Sequence, residues 1–153
     1  LILSKPKERC RINKYGHEVK TFQFQTMSHQ DFVPVADGFK IPQGKKSIHI
    51  PFLETTLTHR SLAYWFMDDG GKLDYTTNLG KGIVFHTQSF SLSEVEDLCN
   101  ILENQFGYIV WPKKNKNKHI IAVSGKCYEK ITSEIYPYIL PAMQYKWPKP
   151  RKS

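Results

Sequence analysis

The run Leu62-Ala63-Tyr64-Trp65-Phe66-Met67 is apolar throughout and stops abruptly at Asp68-Asp69-Gly70-Gly71. Behind Thr58 or Ser61, either of which can cap a helix, it predicts one strongly buried helix with a sharp end. That end is locally unfavourable. Carboxylates at a helix C-terminus face the negative pole of the macrodipole, at about 0.3–1 kcal/mol each when exposed, unless a cation or donor offsets them. Gly70 and Gly71 are expected to supply a left-handed cap that turns the chain. Two readings fit the acids: an ordinary acidic helix end, or carboxylates that hold a hard divalent cation with water and a phosphate.

Around this helix the pattern alternates strands and helices. Val19, Phe22 and Phe24 lie in a partly alternating stretch from His17 to Met27, a half-buried strand preceded by a turn at Asn13-Lys14-Tyr15-Gly16. Ser28 can cap a short helix carrying Phe32, Val33 and Val35, and the two prolines and lysine pair between Phe39 and Phe52 read as an irregular connector. Gly82 to Thr87 reads as a buried strand. Ser91 or Ser93 with Glu94 opens a helix whose apolar positions are Val95, Leu98, Ile101 and Leu102. Strands from Tyr108 to Trp111 and from His119 to Ser124 flank a basic turn from Lys113 to Lys118. A helix follows from Cys127 to Ile135, and the tail from Trp147 is basic and proline-rich.

Strand, basic turn, strand and helix thus occur twice, over residues 7–38 and 108–138. Each copy is followed by an aliphatic-proline pair and then a lysine, Ile41-Pro42 to Lys46 and Leu140-Pro141 to Lys146. Lys46 and Lys146 are therefore expected to be related by a pseudo-twofold axis. The second copy alone has the apolar helix with the acid end, so the first copy reads as incomplete at its N-terminal side.

Charge narrows the partner. The 153 residues carry 22 Lys plus Arg against 14 Asp plus Glu, a net charge of +8. Basic residues cluster at Lys5, Lys7, Arg9 and Arg11, at Lys45-Lys46, at Lys113, Lys114, Lys116 and Lys118, and near the C-terminus. Basic clusters joined by aromatic strands point to a polyanion. No run of about 18 apolar residues occurs, so no membrane partner is expected. Cys10, Cys99 and Cys127 are far apart and odd in number, which argues against a disulfide framework or a thiolate zinc site. Gly-Lys pairs lack the context of a phosphate-binding loop, and the histidines lack zinc spacing.

Ser61 to Gly71, Thr87-Gln88-Ser89-Phe90, Asn115-Lys116-Asn117-Lys118 and Tyr145-Lys146 together resemble, in order, the LAGLIDADG homing endonuclease family, specifically the second half of its single-chain members. The resemblance implies an α+β fold of αββαββα half-domains whose curved antiparallel sheets form a saddle on DNA. Residues 1–54 would be the remainder of a first half, 55–148 a complete second half, and 149–153 a basic tail. It implies that Asp69, directly before the glycine, binds a catalytic Mg²⁺ or Mn²⁺, whereas Met67 replaces an acid found there in many members. Lys46 and Lys146 would stand near the scissile phosphates, and Asn115 beside the site. Arg9, Arg11, Lys14, Lys72, Lys113, Lys114, Lys116 and Lys118 would contact nucleic acid, mainly its backbone. Gln23, Gln25, His86, Gln88 and Tyr75 are candidate base-edge readers.

The family acts with two motif helices, and this chain has one. The expectation is a site-specific double-strand DNA endonuclease completed by a companion chain or segment with the first motif. The alternative is a retired relative that binds structured RNA, either intron or ribosomal. In both cases the resemblance implies a mitochondrion or other organelle.

Overall fold

The computed structural model describes residues 5–25, 27–37, 47–74 and 80–149. The chain divides into two compact units, Leu1–Asp37 and Gly38–Ser153.

The first unit is a hairpin and a short helix. Strands β1 (Lys7–Ile12) and β2 (Glu18–Gln23) pair antiparallel from Lys7 opposite Gln23 to Ile12 opposite Glu18. The expected turn is present. The Asn13 side chain accepts from the Tyr15 and His17 amides, and Gly16 takes a φ of 80°, which glycine adopts freely. The strand is not half-buried, however: Val19 is the sole position of β2 that is not fully exposed. The following helical turn is capped by His29 rather than Ser28, with Nδ1 accepting from the Asp31 amide, and runs through a 3₁₀ segment into α1 (Val33–Asp37).

The second unit carries the core. Part of the expected connector is helical: α2 (Ile50–Thr56) has Pro51 in its first turn, where proline is tolerated, and His49 as its cap. Helix α3 (His59–Asp69) opens on a reciprocal box between Thr58 and Ser61 and buries Leu62, Ala63, Phe66 and Met67. Helix α4 (Leu92–Phe106) opens on the same device, Ser91 with Glu94, and ends at Gly107 with φ 62°. Helix α5 (Tyr128–Ile135) completes the layer.

These helices cover one face of an antiparallel sheet in the order β3-β4-β6-β5, namely β3 (Gly70–Lys72), β4 (Ile83–Phe85), β5 (Val110–Asn115) and β6 (Lys118–Val123). The sequence reading missed β3 and ended β5 too early, because the lysines from 113 onward looked like turn. The strands in fact run through them, leaving Lys116 and Asn117 as the turn, with Lys116 left-handed at φ 55°. Ile83, Phe85, Ile121 and Val123 face the helices, while Val84, Ile120 and Ala122 form a small second cluster with Leu73 on the other face. Trp147, assigned from sequence to a basic tail, is buried, with its ring edge-on to Phe66 at 4.9 Å. Glu134 ties three elements: it accepts from the Tyr108 hydroxyl at 2.7 Å and lies 3.5 Å from His59 at the start of α3. No helix among the described residues is long and apolar enough to cross a membrane.

Candidate active site

The end of α3 is held on every carbonyl that a helix leaves unsatisfied. The Phe66 oxygen accepts from the Gly70 amide, and the Asp69 oxygen accepts from the His86 amide of the neighbouring strand at 2.8 Å. The two between them are taken by one side chain, since Lys146 Nζ donates to Met67 O at 2.6 Å and to Asp68 O at 2.9 Å. The cation that the sequence demanded at this helix end is therefore Lys146, delivered by the 3₁₀ segment Pro141–Lys146. It opposes both the dipole and the two acids.

The left-handed cap expected at Gly70 and Gly71 is absent. Gly70 is extended, with φ −96° and ψ 165°, and the positive-φ glycines among the described residues are Gly16 and Gly107. Glycine is required at 70 for space. A Cβ there would overlap the Phe66 ring carbon Cδ2 and carbonyl oxygen, and would come within 2.6 Å of the Phe66 Cα. The chain thus passes directly from helix into β3, without a loop that could let the acids wander.

Asp68 and Asp69 are exposed at this tip. Met67 is 6% exposed, and its sulfur accepts from the Leu140 amide at 3.3 Å, so the position of the motif's earlier acid has become a packing site. The face of α3 turned away from its own core presents Arg60, Tyr64 and Asp68, with Tyr64 at 59% exposure and the Arg60 guanidinium over the Tyr138 ring at 5.2 Å. No group of three or more His, Cys, Asp or Glu able to hold a metal occurs among the described residues. A full protein ligand set is thus not built here, while one or two carboxylates with open positions suit a hard cation that keeps waters and takes substrate phosphate.

Strand register distributes the other predicted residues. Gly70 pairs with Phe85, Phe85 with Ile121 and Ile121 with Pro112, so Asp69 and the basic tip of the β5–β6 hairpin lie toward the same end of the sheet. Lys113, Asn115 and Lys118 alternate onto the face opposite the helices, whereas Lys114 and Lys72 are in register with helix-side residues. His86 and Gln88 follow β4 and touch each other, with Gln88 Nε2 3.1 Å from His86 Nδ1. Asn115 is not beside Asp69: it stands three strands away, about 14 Å at roughly 4.8 Å per strand. Lys46 and Tyr75 lie outside the described residues.

In the first unit, Lys7, Arg9 and Arg11 share one hairpin face with Thr21 and Gln23. Lys7, Arg9, Gln23, Phe24 and Gln25 line a shallow cavity of about 180 Å³. Lys14 lies in the turn, 4.9 Å above the Tyr15 ring. One residue escaped the sequence reading. Trp111 pairs with Ala122 on the face that carries Lys113, and is 39% exposed. Two-residue alternation from Lys113 would have found it.

Residues 1–131 match the family model of the LAGLIDADG DNA endonuclease family. The chain belongs to that family. It is 42% identical over 147 residues to a probable intron-encoded endonuclease 1 of Wickerhamomyces canadensis, covering 95% of this chain and 63% of that protein. It is 31% identical to the cytochrome b mRNA maturase bI2 of Saccharomyces cerevisiae, over 92% of this chain and 34% of the maturase. Among solved structures, the homing endonuclease I-WcaI bound to its DNA recognition sequence matches with a TM-score of 0.85 and 43% identity, over 95% of this chain and 64% of that one. The LAGLIDADG fold read from the motif residues is thus the fold of this chain, and it spans less than two thirds of the first relative and of the solved neighbour.

Proposed function

We propose that this chain carries the DNA-reading and metal-binding second half of a site-specific LAGLIDADG endonuclease, in residues 55–148, with the remainder of a first half in residues 1–54. It hydrolyses phosphodiesters in duplex DNA when a first half, in the same or a companion chain, supplies another motif helix. The observation that carries the reading is an exposed Asp69 on a helix tip fixed at four carbonyls, at the same sheet end as a basic hairpin. Asp69, with Asp68 next to it, would hold Mg²⁺ or Mn²⁺, which activates water and stabilises the departing oxygen. Tyr64 and Arg60 offer the helix face on which a second motif helix can lie. Lys113, Lys116 and Lys118 neutralise phosphates, while His86, Gln88 and Asn115 present polar groups to base edges in a groove wide enough for a two-stranded ribbon. The first unit's Lys7, Arg9, Arg11 and Lys14 supply cationic contacts of their own, with Gln23 and Gln25 as further readers. Lys46 is assigned near the scissile phosphate. A mitochondrion or another organelle is the location proposed for it, which the intron-encoded relatives support.

The maturase relative favours a second reading, a chain that grips structured intron RNA, or ribosomal RNA, without cleaving it. Asp69→Asn separates the two. In the completed protein, the first reading expects double-strand cleavage to vanish while DNA affinity stays within about threefold, since binding rests on the backbone contacts. Full cleavage by Asp69→Asn overturns the metal assignment. Tight RNA binding with no metal-dependent nicking by the wild-type protein overturns the endonuclease reading.

A further inference from the structure

We infer that Lys146 is a positioning residue: it governs the metal site through the carbonyl end of α3, and not by touching the phosphate. Two of its three N–H groups are committed, at 2.6 and 2.9 Å, to the carbonyls of Met67 and Asp68. Those are the two residues directly before Asp69. Lys146 is half-buried, and the next carbonyl along, that of Asp69, accepts from the His86 amide at 2.8 Å. Lys146 and His86 between them replace the left-handed cap that Gly70 does not form. Without the lysine, two helix-end carbonyls lose their donor beside two like-charged carboxylates, and the direction in which Asp69 points is no longer fixed.

A phosphate-binding lysine and a positioning lysine differ in what they do when DNA and metal are both absent. Only the second is already engaged. It follows that the effect of Lys146 on this chain is measurable without any reaction, and its effect on the reaction is exerted through metal occupancy.

The test uses the full chain with Lys146→Met, which keeps the apolar stem, and Lys146→Arg, which keeps charge and donors. In metal-free, DNA-free protein, Lys146→Met should lower the melting temperature by about 5 °C or more and speed amide exchange at Gly70 and His86 about tenfold. Lys146→Arg should recover at least half of both effects. The second arm, in the completed endonuclease, rests on the function proposed above. There Lys146→Met should raise the Mg²⁺ concentration for half-maximal cleavage about tenfold, with the rate at saturating Mg²⁺ within about threefold of wild type. The inference is overturned if Lys146→Met leaves melting and exchange unchanged while slowing cleavage at every Mg²⁺ concentration, as a phosphate contact would. It is equally overturned if the helix end loosens and neither metal requirement nor rate responds. A wild-type protein that never cleaves refutes the endonuclease reading, and the metal-free arm still decides whether Lys146 holds the helix end.

Discussion

Gly70→Ala should destabilise the second unit severely, for a reason that can be told apart from the usual role of glycine at a helix end. The φ of Gly70 is −96°, which alanine adopts without strain. The cost comes from volume. The added methyl meets the Phe66 ring, which could swing only into a packed core, and also the Phe66 carbonyl oxygen and Cα, which are backbone. Overpacking that side chains can absorb costs about 1–3 kcal/mol; with backbone among the obstructing atoms the expected value is about 3 kcal/mol or more. For a unit of 116 residues (38–153) the unfolding entropy makes 1 kcal/mol worth about 4 °C, so the melting temperature should fall by about 12 °C. Trp65, Trp111 and Trp147 all lie in that unit, so tryptophan fluorescence during thermal unfolding reports on it directly. Gly70→Asn sharpens the test. Asparagine tolerates left-handed backbone, so a capping role predicts that it is milder than alanine, while a space requirement predicts that it is at least as harmful. A loss under about 3 °C for Gly70→Ala, or better tolerance of asparagine, would refute the steric argument.

Glu94 gives a pH signature. Burial raises its pKa, but amide and hydroxyl donors from Ser91 and the Ile48 amide outweigh this and hold the carboxyl below its usual range. A depressed folded pKa contributes stability that is present above the unfolded value, about 4.3, and is lost as pH falls through the folded one. Glu94→Gln should therefore lower the melting temperature at pH 7 and leave it nearly unchanged at about pH 3; equal losses at both would sink the assignment. Trp147→Ala should cost about 3–5 kcal/mol in urea unfolding, because a buried ring leaves the side of Phe66. Trp147→Phe should cost under about 1.5 kcal/mol, since the buried indole N–H has no hydrogen-bond partner among the described residues and its removal forfeits none there.

What could be read in advance divides by whether the signal is local. Both capping boxes, the turn at Asn13 to Gly16 and the apolar faces of α3 and α4 are local, each decided within four residues of sequence, and all of them formed. Helix α2 was equally local, yet its proline was weighed as a breaker when it stood in the first turn, where the missing N–H is harmless. The acid pair pointed to an offsetting cation or donor at the helix end, but not to which one: Lys146 is 77 residues from Asp69 in sequence, and its arrival is a property of the fold. Gly70 illustrates the reverse error. A glycine after a helix has two physical uses, positive φ and the absence of a Cβ, and sequence alone does not distinguish them. The coordinates do, because the obstructing atoms belong to Phe66.

The repeat read in the sequence falls on two hairpins that differ in what surrounds them. Strand β6 has β5 on one edge and β4 on the other, and its helix-facing residues Ile121 and Val123 are buried. In the first unit, β2 pairs with β1 alone among the described residues, and Ile12 and Phe22, which share the face opposite Arg9 and Arg11, are 76% and 67% exposed. A two-stranded ribbon is marginal in water, and an unpaired edge beside exposed aromatics invites further strands. The cationic face is already what a phosphate surface requires, while the opposite face mixes exposed Ile12 and Phe22 with the Glu8–Lys20 ion pair at 2.8 Å, so those two apolar side chains and the free edge are what the hairpin leaves open.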